Sequence, residues 1–124
     1  MAEFLAEKMG SSQNSGNEFQ LIDTITNMAV NGEYTIPDIT QYSEIGFMLY
    51  ATYGCSLLQT IPSNVLINLN GINDYNRPLL QAYQAANNGL TILIAMVSST
   101  KFRCDSIAVT GGWSFEKLEI YGKK

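Results

Sequence analysis

Three clusters of turn-forming residues govern the last third of the chain: Asn87-Asn88-Gly89, Ser98-Ser99-Thr100 and Thr110-Gly111-Gly112. Each separates apolar, β-branched segments too short for ordinary helices, and Asn-Gly between two apolar runs is a strong hairpin signal. Pro78 to Ala86 on its own is compatible with a helix capped by Asn76. Its direct junction through Asn87-Asn88-Gly89 to the unbroken apolar run Leu90 to Val97 favours a strand instead. Phe102 to Val109 predicts the next strand, with Phe102, Cys104 and Ala108 on one face. Trp113 to Tyr121 predicts the last, with Leu118 and Ile120 pointing inward. Residues 78 to 121 thus read as a four-strand meander.

The same grammar runs upstream. Ser43 to Tyr53 alternates Ile45, Phe47, Leu49 and Ala51 on one face with Met48, Tyr50 and Thr52 on the other, which predicts a half-buried strand ended by Gly54. Ser56 to Thr60 and Val65 to Leu69 bracket Ile61-Pro62-Ser63, an expected edge or bend because proline cannot donate to a ladder. Gln20 to Val30 is a weaker strand, closed by the Asn31-Gly32 turn signal, and Tyr34-Thr35-Ile36 a short one ended by Pro37-Asp38. Asn70 to Arg77 reads as a loop. Ser11 to Asn17 has no apolar residue and is rich in turn formers, so it predicts a flexible linker. Ahead of it, Phe4, Leu5 and Met9 would share one face of a short helix. Such a helix is marginal alone in water. The expected architecture is all-β: an antiparallel β-sandwich or jelly roll over residues 18–124, behind a tail or anchor at 1–17.

With 124 residues, the chain is sized for a single domain. Charged residues make up only 15%, below the usual ~25%. Net charge is −4 and no basic run exceeds Lys123-Lys124, so the footprint needed for nucleic acid is missing. Met1 to Gly10 carries Glu3, Glu7 and Lys8 and no long apolar core, so no export signal is expected there. No apolar stretch is long enough to insert in a membrane. Cys55 and Cys104 lie far apart in sequence and have no metal or redox spacing; one disulfide between them is open, but both sit in apolar stretches, which favours buried free thiols.

Histidine is absent, which removes the commonest general base and every Ser-His or Cys-His nucleophile pair. The carboxylates fall mostly in turns or on outward strand faces, and nothing in the sequence pairs two of them. Asn70, Asn73, Asp74 and Asn76 form an oxygen-rich loop, but a single carboxylate without EF-hand spacing reads as a plain loop. Gly111-Gly112 lacks the spacing of a phosphate loop. These features predict a protein that is not an enzyme and has neither a cofactor nor a metal. The tyrosines and Trp113 remain. Most tyrosines are expected to be ordinary strand residues. Tyr34, Tyr42, Tyr75 and Trp113 lie near predicted turns and are the candidates for a binding surface, with a host-surface glycan as one partner.

Ile-Thr-Gln-Tyr-Ser-Glu-Ile at 39–45, Ile-Pro-Ser at 61–63 and the closing Gly-Gly-Trp-Ser-Phe-Glu-Lys-Leu-Glu-Ile-Tyr-Gly-Lys-Lys at 111–124 carry a resemblance. In this order they resemble a domain found at the C-terminus of bacteriophage tail-fibre and minor virion structural proteins. The resemblance spans roughly residues 36 to 124. It implies a β-sandwich virion protein made in the host cytoplasm, often trimeric, with a role in particle assembly or host attachment. It implies no fixed catalytic residues. Tail fibres are usually long chains, so a chain of this length fits a separate head-fibre or capsid-decoration subunit. Its partners would be copies of itself and other virion proteins, with Phe4, Leu5 and Met9 as the assembly anchor. The alternative is a carbohydrate-binding adhesion module.

Overall fold

A computed structural model describes residues 18–68, 79–85 and 88–124. Along the chain come β1 (Gln20–Ile25), β2 (Glu33–Thr35), a 3-10 turn (Ile39–Gln41), β3 (Glu44–Ala51), β4 (Gly54–Cys55) and β5 (Gln59–Pro62). They are followed by α1 (Ser63–Asn68), β6 (Leu79–Ala85), β7 (Asn88–Ser98), β8 (Lys101–Thr110) and β9 (Phe115–Lys123). The strands form two sheets. One has the order β1-β9-β3, with β4 and β5 both on the far side of β3; the other has the order β2-β8-β7-β6. Every ladder is antiparallel. The first strand pairs with the last and the second with the penultimate, so the chain is rolled up into an all-β, two-sheet sandwich.

The alternation that marks β3 in the sequence is what closes the core. Ile45, Phe47, Leu49 and Ala51 are buried, and β9 sets Leu118 and Ile120 beside them. The second sheet answers with Leu80, Leu90, Ile92, Ile94, Met96 and Phe102. Full burial of an aliphatic or aromatic side chain is worth about 1.5–3 kcal/mol, so this facing set is the main source of cohesion.

Several expectations are corrected. The meander has three strands rather than four. β6, β7 and β8 run as expected, but Gly111 and Gly112 both take positive φ, 65° and 78°. That conformation costs glycine no side-chain clash, and it lets β9 leave the second sheet and enter the first between β1 and β3. Asn88 and Gly89 fall inside β7, with Ala85 opposite Asn88. Val65 to Asn68 is helical: Pro62 ends β5, and α1 buries Leu66 while leaving Val65 43% exposed. The strand from Ser43 reverses at Thr52 and Tyr53, and Gly54 opens β4. Ala108 is exposed, because the register skips Asp105 between the pairs Leu93–Ser106 and Ile94–Cys104. That bulge flips every later side chain of β8 to the other face. Cys104 is buried and free as expected, and burial pushes its thiol pKa up; Cys55 is free but exposed.

Smaller features match their sequence signals. Asn31 carries a φ of 71° at the expected turn. Asp38 caps the 3-10 turn by accepting from the Thr40 backbone N–H at 3.0 Å and the Thr40 hydroxyl at 2.7 Å, which holds its carboxyl below the ordinary value.

Candidate functional site

Strand register gives the sandwich two distinct ends. Gln20 stands opposite Gly122 and Glu44 opposite Lys123, so residue 18 enters at the end where Lys124 leaves. The 3-10 turn and the β7–β8 connection close the same end, through Ile36 and Ile39 N–H groups donating to the Thr100 and Ser99 carbonyls. Ala51 pairs with Phe115 at the opposite end. There the Thr52-Tyr53 turn meets the segment from Gly111 to Ser114, and the Thr52 N–H donates to the Ser114 carbonyl at 3.0 Å.

The aromatic residues singled out in the sequence take separate places. Tyr34 packs its ring 5.5 Å from that of Phe102, and its hydroxyl accepts from the Ala29 N–H at 2.7 Å, under the Asn31-Gly32 turn. Tyr42 is half-buried at the chain-entry end, against Gly122, with the Lys124 ammonium 5.8 Å from its ring centre. Trp113 is only 6% exposed and closes the core at the far end. Tyr42 and Trp113 therefore stand at opposite ends of β3. Tyr75, Phe4, Leu5 and Met9, like the loop Asn70–Arg77, lie outside the described residues. The exposed aromatic at the far end is Tyr53, 68% exposed, which meets the Trp113 ring edge-on at 5.9 Å. Its signal in the sequence is hidden when the strand is read through to Tyr53.

The outward face of β3 and β9 carries a polar cluster. The Tyr121 hydroxyl donates to Glu119 Oε1 at 2.7 Å, and Lys117 Nζ lies 3.4 Å from Glu119 Oε2 and 4.6 Å from the Tyr50 ring centre. The Tyr121 hydrogen bond, with help from Tyr50 and Lys117, holds the Glu119 carboxyl below its usual range. The same carboxylate pushes Tyr121 up to about 12 and raises Tyr50. A carboxylate held ionised by three neighbours is a poor proton donor at neutral pH. Its role here is to pin the side chains of neighbouring strands across the sheet face.

The other notable feature is a cleft where the two sheets meet at their open edge, between the β4–β5 segment and β6. One lobe, about 350 Å³, is lined by Cys55, Ser56, Leu57, Gln59, Gln81 and Ala82. A second, about 180 Å³, is lined by Phe47, Gln59, Thr60, Ile61, Leu79 and Leu80. Gln59 lines both. Its Nε2 donates to the Leu79 carbonyl at 3.1 Å, and its Oε1 accepts from the Gln81 N–H at 3.2 Å. One side-chain amide thereby stands in for the missing ladder partner of β6. This blunts an edge that would otherwise offer free backbone groups. Beside the latch Leu57 projects with 87% of its surface exposed and Leu79 with 47%. Single exposed apolar residues are ordinary on a folded domain.

Among the described residues no group of three or more His, Cys, Asp and Glu could hold a metal ion, and no helix is long and apolar enough to cross a membrane. The fold and its surfaces define the class of the chain as an antiparallel β-sandwich with an edge cleft whose described lining residues carry no charge. Comparison with protein-family models, with curated proteins and with solved structures gives no match.

Proposed function

We propose that this chain is a bacteriophage virion structural subunit, a surface fibre or capsid-decoration module, non-catalytic and assembling as a homo-oligomer. The observation that carries the reading is the polarity of the sandwich. Residues 1–17, with the apolar stripe Phe4, Leu5 and Met9, join it at one end, and Tyr53 is displayed at the other. A subunit that must hold a particle and present a surface needs that separation. Every described strand pairing lies within residues 20–123. The resemblance at 36–124 points the same way, to a virion protein synthesised in the host cytoplasm.

The test is deletion of residues 1–17. The truncated protein should melt within a few degrees of the full chain and should fail to co-sediment with virions. Normal co-sedimentation of the truncated protein would refute the anchor. A second reading, an adhesion module that stacks a host-surface sugar, is favoured by Tyr53 alone, whose exposed ring stands against Trp113. Binding on a glycan array that disappears with Tyr53→Ala would select this second reading.

A further inference from the structure

We propose that the Asn31-Gly32 turn is a site of spontaneous deamidation, held in check by a hydrogen-bonded brace in which Tyr34 is the positioning residue. The inference concerns a covalent change built into the turn and stands independently of the virion reading.

Asn-Gly suits this reaction because no side chain shields the glycine nitrogen and its backbone moves freely. The dipeptide occurs at 31–32, 70–71 and 88–89. Asn70-Gly71 lies outside the described residues. At 31–32 the Gly32 nitrogen gives up its proton to hydroxide and attacks Asn31 Cγ. The N–Cγ bond forms, the Cγ–Nδ2 bond breaks, and ammonia leaves with a proton from water. Water then opens the resulting succinimide. Opening at Cγ gives aspartate. Opening at the former main-chain carbonyl gives isoaspartate, whose backbone runs on through Cβ.

The two described sites differ in their surroundings. Asn88 and Gly89 lie inside β7, where Gly89 is buried and paired with Tyr83 on β6 and Thr110 on β8. Reaction there requires a strand held on both sides to open. Asn31 is exposed between β1 and β2, with a φ of 71°. β2 spans only three residues at the sheet edge. Opening the turn disturbs little of the core, and such local openings are the cheapest a folded chain makes.

A short relay keeps the turn closed. The Asn31 N–H donates to the Cys104 carbonyl at 2.7 Å, and the Cys104 N–H donates to the Gly32 carbonyl at 2.9 Å. The nucleophile itself is engaged, since the Gly32 N–H donates to the Ala29 carbonyl at 2.9 Å. The Tyr34 hydroxyl accepts from the Ala29 N–H at 2.7 Å, and a methyl group on Gly32 would lie 2.5 Å from that hydroxyl. Tyr34 thus fixes Ala29, Ala29 fixes the Gly32 nitrogen, and the nitrogen is released only when the turn opens.

The two products act differently. Aspartate tolerates positive φ much as asparagine does. It adds a negative charge to a net −4, close to Glu33, which pairs with Lys101 at 3.6 Å. Isoaspartate lengthens the backbone between the two hydrogen bonds to Cys104, so it unseats the start of β2 from β8.

The experiment incubates the full chain at neutral pH and follows each Asn-Gly site by peptide mapping, with methyl transfer to isoaspartate as a second readout. In urea the Asn31 and Asn88 sites should react at similar rates. In the folded chain both should slow, with Asn31 still reacting about 10-fold or more faster than Asn88. Tyr34→Phe keeps the ring against Phe102 and removes one hydrogen bond, so it should speed reaction at Asn31 by about 2- to 10-fold and leave Asn88 unchanged. Hydrogen exchange in the wild-type chain checks the brace without a substitution, because the Gly32 amide should be protected. Asn31 as inert as Asn88 in the folded chain would overturn the site. Asn31 as fast folded as in urea, an unprotected Gly32 amide, or no acceleration in Tyr34→Phe would overturn the brace. Equal acceleration of both sites in that variant would also overturn it, since the whole sandwich would then be loosened.

Discussion

Gln59 gives the sharpest test of how the two sheets are joined at their open edge. It belongs to β5, where its backbone faces Phe47, and its side chain crosses to β6. Replacing it with Leu keeps the approximate volume and removes two hydrogen bonds, leaving the Leu79 carbonyl and the Gln81 N–H without that partner. Each such bond contributes a net ~0.5–1.5 kcal/mol, so Gln59→Leu should lose about 1–3 kcal/mol in urea unfolding at pH 7. Gln59→Glu is the more discriminating variant. A carboxylate still accepts from the Gln81 N–H, but it turns a second oxygen toward the Leu79 carbonyl, where Nε2 had donated. The loss at pH 7 should therefore match or exceed that of Gln59→Leu. Protonation restores a donor, so much of the Gln59→Glu deficit should disappear below about pH 4, whereas the Gln59→Leu deficit should stay constant. A Gln59→Leu loss under ~0.5 kcal/mol, the level of an ordinary surface change, would refute the latch. So would a Glu variant as stable as wild type at neutral pH.

Three further outcomes follow from other contacts. A methyl group at Gly122 would meet the Tyr42 ring at 2.5 Å, so Gly122→Ala should cost about 1–3 kcal/mol. Thermal melts of a double variant with Tyr42→Ala should show strong non-additivity, because removing the ring removes the clash. In a spectrophotometric titration near 295 nm, one tyrosine should ionise only near pH 12, and Glu119→Gln should bring it down toward 10.0. Because the folded Tyr121 pKa is raised, its contribution to stability is complete below pH ~10 and is lost between there and ~12; Glu119, whose folded pKa is depressed, contributes at neutral pH and loses that contribution as acid protonates it. The stability gap between wild type and Glu119→Gln should accordingly narrow in acid, as measured by urea unfolding at pH 7 and pH 3.

The period-two pattern makes the core legible from the order of residues alone. Ile45, Phe47, Leu49, Ile92, Ile94, Leu118 and Ile120, read from alternation and turn spacing, are all buried. Alternation is a local property of backbone geometry, so it survives in the sequence. What does not survive are features set by contacts distant along the chain. Val65-Leu66-Ile67 is as β-branched as a strand, and it is helical because Pro62 ends β5 just before it and one residue, Leu66, finds the core. The edge cleft is invisible in the sequence for the same reason. Gln59 and Leu79 are 20 residues apart, and only the meeting of two sheet edges puts an amide against that carbonyl.

The misreading of β8 is the most instructive, because one residue accounts for it and one deletion tests it. Strict alternation from Phe102 through Cys104 places Ala108 inward. The structure turns Ala108 outward, since Asp105 is skipped in the ladder with β7 and the count restarts at Ser106. Asp105 is not idle: it accepts from the Arg103 side chain, which raises the guanidinium pKa. The bulge and the ion pair are separable. Asp105→Asn keeps the residue count and weakens the pair, so it should cost no more than about 2 kcal/mol. Deleting Asp105 removes the bulge. Cys104 would then be followed directly by Ser106, and strict alternation keeps Phe102 and Cys104 inward, Ser106 outward and Ile107 inward, the faces they already have. The deletion should therefore cost within about 1 kcal/mol of the Asn variant in chemical denaturation. A deletion that costs ~3–5 kcal/mol more, the loss of a buried aromatic such as Phe102, would mean that the bulge itself is needed to hold β8 in register.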